Sequence, residues 1–202
     1  MPTLYRCRTS LAEVARMFDA EPPPHADWSG ELWPGRIGLV VRSEGAARRI
    51  EAMRWGLPPA LGEAAPRRRA PTGVWWRQLL PDRSGLLAPA HRCLIILDSF
   101  ALPDGVSGAR TRTWYGFDDP PIFAWAGLWR TGARVRGYAG MLVDAAAPVR
   151  PNRIMPALLD RRDHATWLEA DIGEASRQVR SVAWPGLYRE PTEQPWGADR
   201  TP

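Results

Sequence analysis

Residues 91–100 read HRCLIILDSF, and the β-branched apolar run from Cys93 to Leu97 predicts a strand. Glycine and proline punctuation follows at once in LPDGVSG, residues 102–108. Beyond it, Ile122 to Trp129 and Tyr138 to Val143 predict further strands, and upstream Ile37 to Val41 is another short β-branched run. Nearer the start, Ser10-Leu11-Ala12-Glu13 reads as a capping box. Leu11, Val14, Ala15 and Phe18 then keep the i, i+3, i+4, i+7 spacing of a helix with one apolar face, which Pro22-Pro23-Pro24 stops. A second helix is expected from about Asp163, with Trp167 and Leu168 on its buried side. Strands and helices in mixed order, without a βαβ rhythm, predict an α+β domain with a largely antiparallel sheet. From Glu190 the proline-rich, polar EPTEQPWGADRTP predicts a loose tail, so the expected organisation is one domain over 1–189 and a tail over 190–202. No internal repeat is visible.

A chain of 202 residues, 45% of them hydrophobic, suffices for one substantial core. No apolar run approaches the roughly eighteen residues of a membrane span, and the first residues lack the basic-then-apolar order of a signal peptide, which predicts a cytoplasmic protein. Cys7 and Cys93 are too few for a disulfide framework, and His25, His91 and His164 are scattered singly. Neither a metal nor another cofactor is expected. The net charge is +5, and all 27 basic residues are arginine. A GC-rich coding bias accounts for most of that preference, yet Arg67-Arg68-Arg69 and Arg134 with Arg136 still create local positive potential. Aromatic faces among guanidinium groups are what proteins use to hold single-stranded nucleic acid, and this chain has 11 tryptophans. Core packing claims most of them.

Several stretches, in order, carry a family likeness: LYRCRTSLAEVARMF (4–18), MRWGLPPAL (53–61), HRCLIILDSF (91–100) and FAWAGLWR (123–130), then NRIMPALL (152–159) and TWLEA (166–170). Together they resemble the SOS response-associated peptidase (SRAP) family, whose members crosslink covalently to abasic sites in single-stranded DNA. The resemblance spans about residues 1 to 170. It implies an SRAP-like α+β fold in which twisted antiparallel sheets form a barrel-like core with flanking helices, and a basic groove that runs to a buried N-terminus.

The family's chemistry places a cysteine at the second position, where its amine and thiol together close a thiazolidine on the abasic aldehyde. Here that residue is Pro2, and Cys7 has no free α-amine to substitute. The family's asparagine matches Arg67 and its arginine Arg69, in RRRAPTGVWWRQLL (67–80). Its acid matches Leu102, and its histidine matches Asn152 or Pro151, ahead of Met155 and Pro156. A threonine-bearing strand corresponds to Val143 and Asp144. Cysteine, asparagine, acid and histidine are thus lost together, while the framework around Trp55, Gly56, Gly127 and Trp129 stays, which describes a catalytically divergent relative.

The candidate DNA contacts are Arg69, Arg67 and Trp55. Arg69 is either a phosphate clamp or a solvated arginine in a basic loop. Trp55 either stacks on a base or packs beneath the groove, with Arg54 on the opposite face if the strand alternates. Cys7 and Cys93 read as buried small hydrophobes, Asp98 and Asp104 as turn or cap residues, and His164 as a helix start on a charged surface. Three functions stay open: an inactive module that binds single-stranded DNA; an enzyme using the Pro2 amine for reversible Schiff-base chemistry at abasic sites; and an interaction protein with no DNA role. A monomer is expected.

Overall fold

A computed structural model describes residues 3–63, 69–80, 84–149 and 152–198. In chain order the strands are β1 (Leu4–Arg6), β2 (Glu31–Leu32), β3 (Ile37–Glu44), β4 (Ala47–Trp55), β5 (Gly73–Trp75), β6 (Arg92–Leu97), β7 (Ser99–Asp104), β8 (Thr111–Gly116), β9 (Phe123–Thr131), β10 (Arg136–Asp144), β11 (Ile154–Pro156), β12 (Leu158–Leu159) and β13 (Tyr188–Pro195). The helices are α1 (Leu11–Phe18), α2 (Trp76–Leu79), α3 (His164–Glu169) and α4 (Ile172–Ser176).

The expected first helix forms over the residues its spacing marked. Ser10 Oγ accepts the Glu13 N–H at 3.2 Å, while the Glu13 carboxylate takes the Thr9 hydroxyl at 2.6 Å, so the cap draws on Thr9 as well as Ser10. Asp19 ends the helix in the left-handed region at φ 49°. Val14 and Phe18 are the buried residues of its apolar face.

Two sheets carry the fold. In the larger, β3 pairs antiparallel with β4 and β6, β6 with β9, and β9 with β10, while β10 runs parallel to β4 through Gly137↔Arg54 and Tyr138↔Trp55. These pairings close a ring, the barrel-like core that the family likeness implied. β5, β11 and β12 extend it from β10 and β9. The smaller sheet has five strands in the order β13-β8-β7-β1-β2, all antiparallel.

The core lies between the sheets. Tyr5 from the smaller sheet meets Trp55 and Trp125 of the ring edge to face, with centroids 4.9 and 6.4 Å apart. Its hydroxyl hydrogen-bonds the Tyr138 hydroxyl at the centre. Such dense packing leaves no room for a side chain at Gly140, whose added Cβ would lie 1.9 Å from the Trp125 ring. The arginine of the Arg-Cys-Leu element is structural: buried Arg92 donates to Leu87 O at 2.7 Å, Trp167 O at 3.1 Å and Ala170 O at 2.7 Å, which ties the end of α3 to the ring.

Of the stretch from Glu190, expected as a loose tail, residues 190–195 instead lie in β13, and residues 199–202 lie outside the described residues. Glu190 pairs with Trp114 and Pro191 with Thr113 on β8, with a register shift before Pro195 meets Thr111. Prolines fit there because the outer strand of a sheet has no neighbour on its far side that needs their missing N–H. Beyond it, Trp196 packs on Trp33 at 5.6 Å, over a satellite cluster of Leu4, Trp33, Ala101 and Trp114. Among the described residues, no helix is long and apolar enough to cross a membrane.

Candidate functional site

The register Leu4↔Ala101 carries the start of the described chain toward the Leu102–Asp104 end of β7. Pro2 lies outside the described residues, as do Arg67, Arg68 and Pro151. Leu102, at the position of the family's acid, is buried and stands opposite Thr113 on β8. No charge occupies that point.

A carboxylate stands one alternation further along the same face of β7. Asp104 accepts the Gly105 N–H at 2.8 Å, the Thr113 hydroxyl at 3.0 Å and the Arg189 guanidinium at 2.6 Å. Those partners, the Gly105 amide first, hold its carboxyl below the usual range. Arg189 sits on β13 directly across from Tyr115. Burial pushes the Tyr115 phenol up, while the nearby Arg189 and Asn152 side chains oppose that rise. One polar cluster therefore joins Asp104, Thr113, Tyr115, Asn152 and Arg189, and it includes one of the two residues matched to the family's histidine. Reading Asp104 as a turn residue captured its bond to Gly105 but not this cluster. The signal was available in the period-2 step from Leu102 to Asp104; Arg189 stayed hidden because β13 does not look like a strand.

The rest of the expected site is dispersed. Arg69 is exposed, and among the described residues it makes no ion pair. The chain just after it is pinned: Pro71 O accepts Leu57 N at 2.9 Å, and Thr72 O accepts both Gly140 N at 3.1 Å and Trp55 Nε1 at 3.0 Å. Trp55 does not offer its face to a base. It is 1% exposed, with its indole N–H satisfied by Thr72, and it packs beneath this segment because a large ring gains more from burial than from solvent. Arg54 is exposed on the other face of β4, as alternation requires, and donates to Gly35 O at 2.9 Å. Val143 is buried opposite Met155, and Asp144 is exposed opposite Ile154.

Neither thiol is available as a nucleophile. Cys7 and Cys93 are fully buried, and desolvation pushes Cys7 up to about 12 and Cys93 higher still. His164 is also buried, at 6% exposure, rather than placed on a charged surface. Among the described residues, no cluster of His, Cys, Asp or Glu has the geometry to hold a metal ion.

No curated protein matches this chain. Solved structures do: a protein from Bordetella bronchiseptica at 20% identity superposes with a TM-score of 0.78 over 94% of this chain and 99% of its own. A protein from Bacteroides thetaiotaomicron at 12% identity gives 0.77 over 94% and 91%. A phage-related protein from B. bronchiseptica at 15% identity gives 0.72 over 95% and 94%. At these identities the likeness speaks for the fold. The family model described as SOS response associated peptidase (SRAP) matches residues 1–189, and with the closed ring, the second sheet and the motif order agreeing, this chain belongs to the SRAP family.

Proposed function

We propose that this chain is a single-stranded DNA-binding member of the family that does not form the family's thiazolidine crosslink. The observation that carries this reading is the absence of a usable thiol: position 2 is proline, and the two cysteines are buried with raised thiol pKa values. Leu102 in place of an acid supports it, because nothing at that point can move a proton. DNA binding is supported by the family and by exposed Arg69 on a backbone segment held by the ring, which suits a guanidinium that forks onto a phosphate. On a denaturing gel, the protein incubated with abasic single-stranded DNA leaves no heat-stable shifted band. In fluorescence anisotropy at two salt concentrations, it prefers single strands to duplex and weakens steeply with salt, and Arg69→Ala lowers affinity about tenfold whatever the sequence. A persistent band overturns the inactive reading, and an Arg69→Ala variant of unchanged affinity returns Arg69 to the solvated surface.

The polar cluster favours a second reading. Once Met1 is removed, the secondary amine of Pro2 condenses with an abasic aldehyde, releasing water and forming an iminium that no thiol can trap. Asp104, held ionised, suits the role of base for the β-elimination that follows, more than that of acid for the condensation. Borohydride delivers hydride to the iminium carbon and fixes the adduct as a tertiary amine. Trapping that an acetylated N-terminus abolishes establishes this chemistry, and trapping no greater than with an unrelated protein dismisses it.

A further inference from the structure

Away from the start of β1, a cavity of about 720 Å³ opens between the end of α1, the turn Arg161–Asp163 leading into α3, and the segment after α4. That volume falls in the range of small-molecule sites, about 300–1,000 Å³. One wall is aromatic: Phe117 meets Phe123 edge to face at 5.0 Å and Trp184 at 6.2 Å. At the end of α1, buried His164 stacks on Phe18 with centroids 5.3 Å apart and planes 8° from parallel, and both line the same cavity. Aromatic side chains from β9, α1, α3 and the loops carrying Phe117 and Trp184 thus line one space.

The charges around it are unevenly placed. Arg162 is shared with Asp160 at 3.6 Å, while exposed Arg161 and Arg180 make no ion pair among the described residues. The charged groups that act on His164 are Arg48 from β4 with Arg161 and Asp160 from the turn, and Phe18 brings none from α1. Burial first, then Arg48 and Arg161, keep the imidazole neutral at neutral pH, and the two guanidinium groups beside it favour an anion there. Asp119 and Asp163 also line the cavity and disfavour a ligand of high negative charge.

We propose that this cavity binds a small planar aromatic ligand of mononucleotide size bearing one anionic group. The ring lies between the Phe117–Trp184 wall and the Phe18–His164 pair, and the anion meets Arg161 and Arg180, whose planar forks match phosphate or carboxylate oxygens. Such a ligand reaches the site either as a free nucleotide or as one nucleotide of a single strand. The site is separate from the Asp104 cluster and does not depend on the function proposed for it.

Isothermal titration of the full chain with deoxyadenosine monophosphate, deoxyadenosine, inorganic phosphate and a short deoxyadenosine oligonucleotide tests this. The monophosphate is expected to bind at least about tenfold more tightly than the nucleoside or phosphate alone, since each supplies half of the recognition. Arg161→Ala and Arg180→Ala each weaken it about tenfold, and Val182→Trp, which fills the cavity, removes binding with the melting temperature retained. If Val182→Trp fails to fold, the two exposed arginine variants decide the matter. Binding of the oligonucleotide that Arg180→Ala weakens identifies a strand as the source, and monophosphate binding without it identifies a free nucleotide. Equal affinity for nucleoside and monophosphate, or indifference to both arginine variants, overturns the proposal.

Discussion

His164 is neutral because its surroundings leave an imidazolium nothing to gain. Burial, Arg48 and Arg161 lower its pKa from 6.5 to about 4 in the folded chain. Between those values the unfolded chain binds the extra proton, so the stabilisation is present above pH 6.5 and is lost as pH falls toward 4. The difference corresponds to about 3 kcal/mol. Thermal melts at pH 7 and pH 4.5 should separate markedly for the native protein and much less for His164→Phe, which keeps the stacking on Phe18. Equal pH sensitivity in both would place the acid lability elsewhere. Cys7 and Cys93 read correctly as buried hydrophobes from the residues around them. His164, with Asp160, Arg161, Arg162 and Asp163 just before it, looks like a surface residue in sequence, and its stacking on Phe18 from a distant helix is not legible there.

At the scale of elements, β10 is the most constrained strand. It pairs with β4, β5, β9 and β11, and its Gly140 faces the Trp125 ring so closely that an added methyl has no space. Gly140→Ala should destabilise by about 1–3 kcal/mol or more through overpacking, read as a lower denaturation midpoint with an unchanged slope. A variant as stable as the native chain would show that Trp125 yields easily. Strands of this kind announced themselves, since Cys93–Leu97, Ile122–Trp129 and Tyr138–Val143 are runs of apolar residues that the sheet buries. β4 did not, because Arg48, Arg49, Glu51 and Arg54 interrupt Ile50, Met53 and Trp55. β13 was hidden more completely: Tyr-Arg-Glu-Pro-Thr-Glu-Gln-Pro has the composition of a linker, and its strand conformation comes from β8 alongside it. With β13 went Arg189, and with Arg189 the polar cluster.

Taken whole, the molecule divides into a part without free strand edges and a part with them. The ring pairs each of its five strands on both sides, whereas the smaller sheet ends in β2 and β13. Native-state hydrogen exchange should therefore show ring amides exchanging with one shared free energy, that of global unfolding, and β13 amides opening at a lower one. Uniform protection across both sheets would contradict this division. The ring also sets an order of events during synthesis. Its closing contact joins β4 to β10 through Gly137 and Tyr138, so no ring can form on the ribosome until residues as late as 138 have left the exit tunnel. Until then β4 waits with an open edge, and the growing chain is exposed to faulty pairing with its neighbours. β13 emerges after that, so Arg189 arrives later than every ring strand: the polar cluster around Asp104 is completed only when β13 has been made.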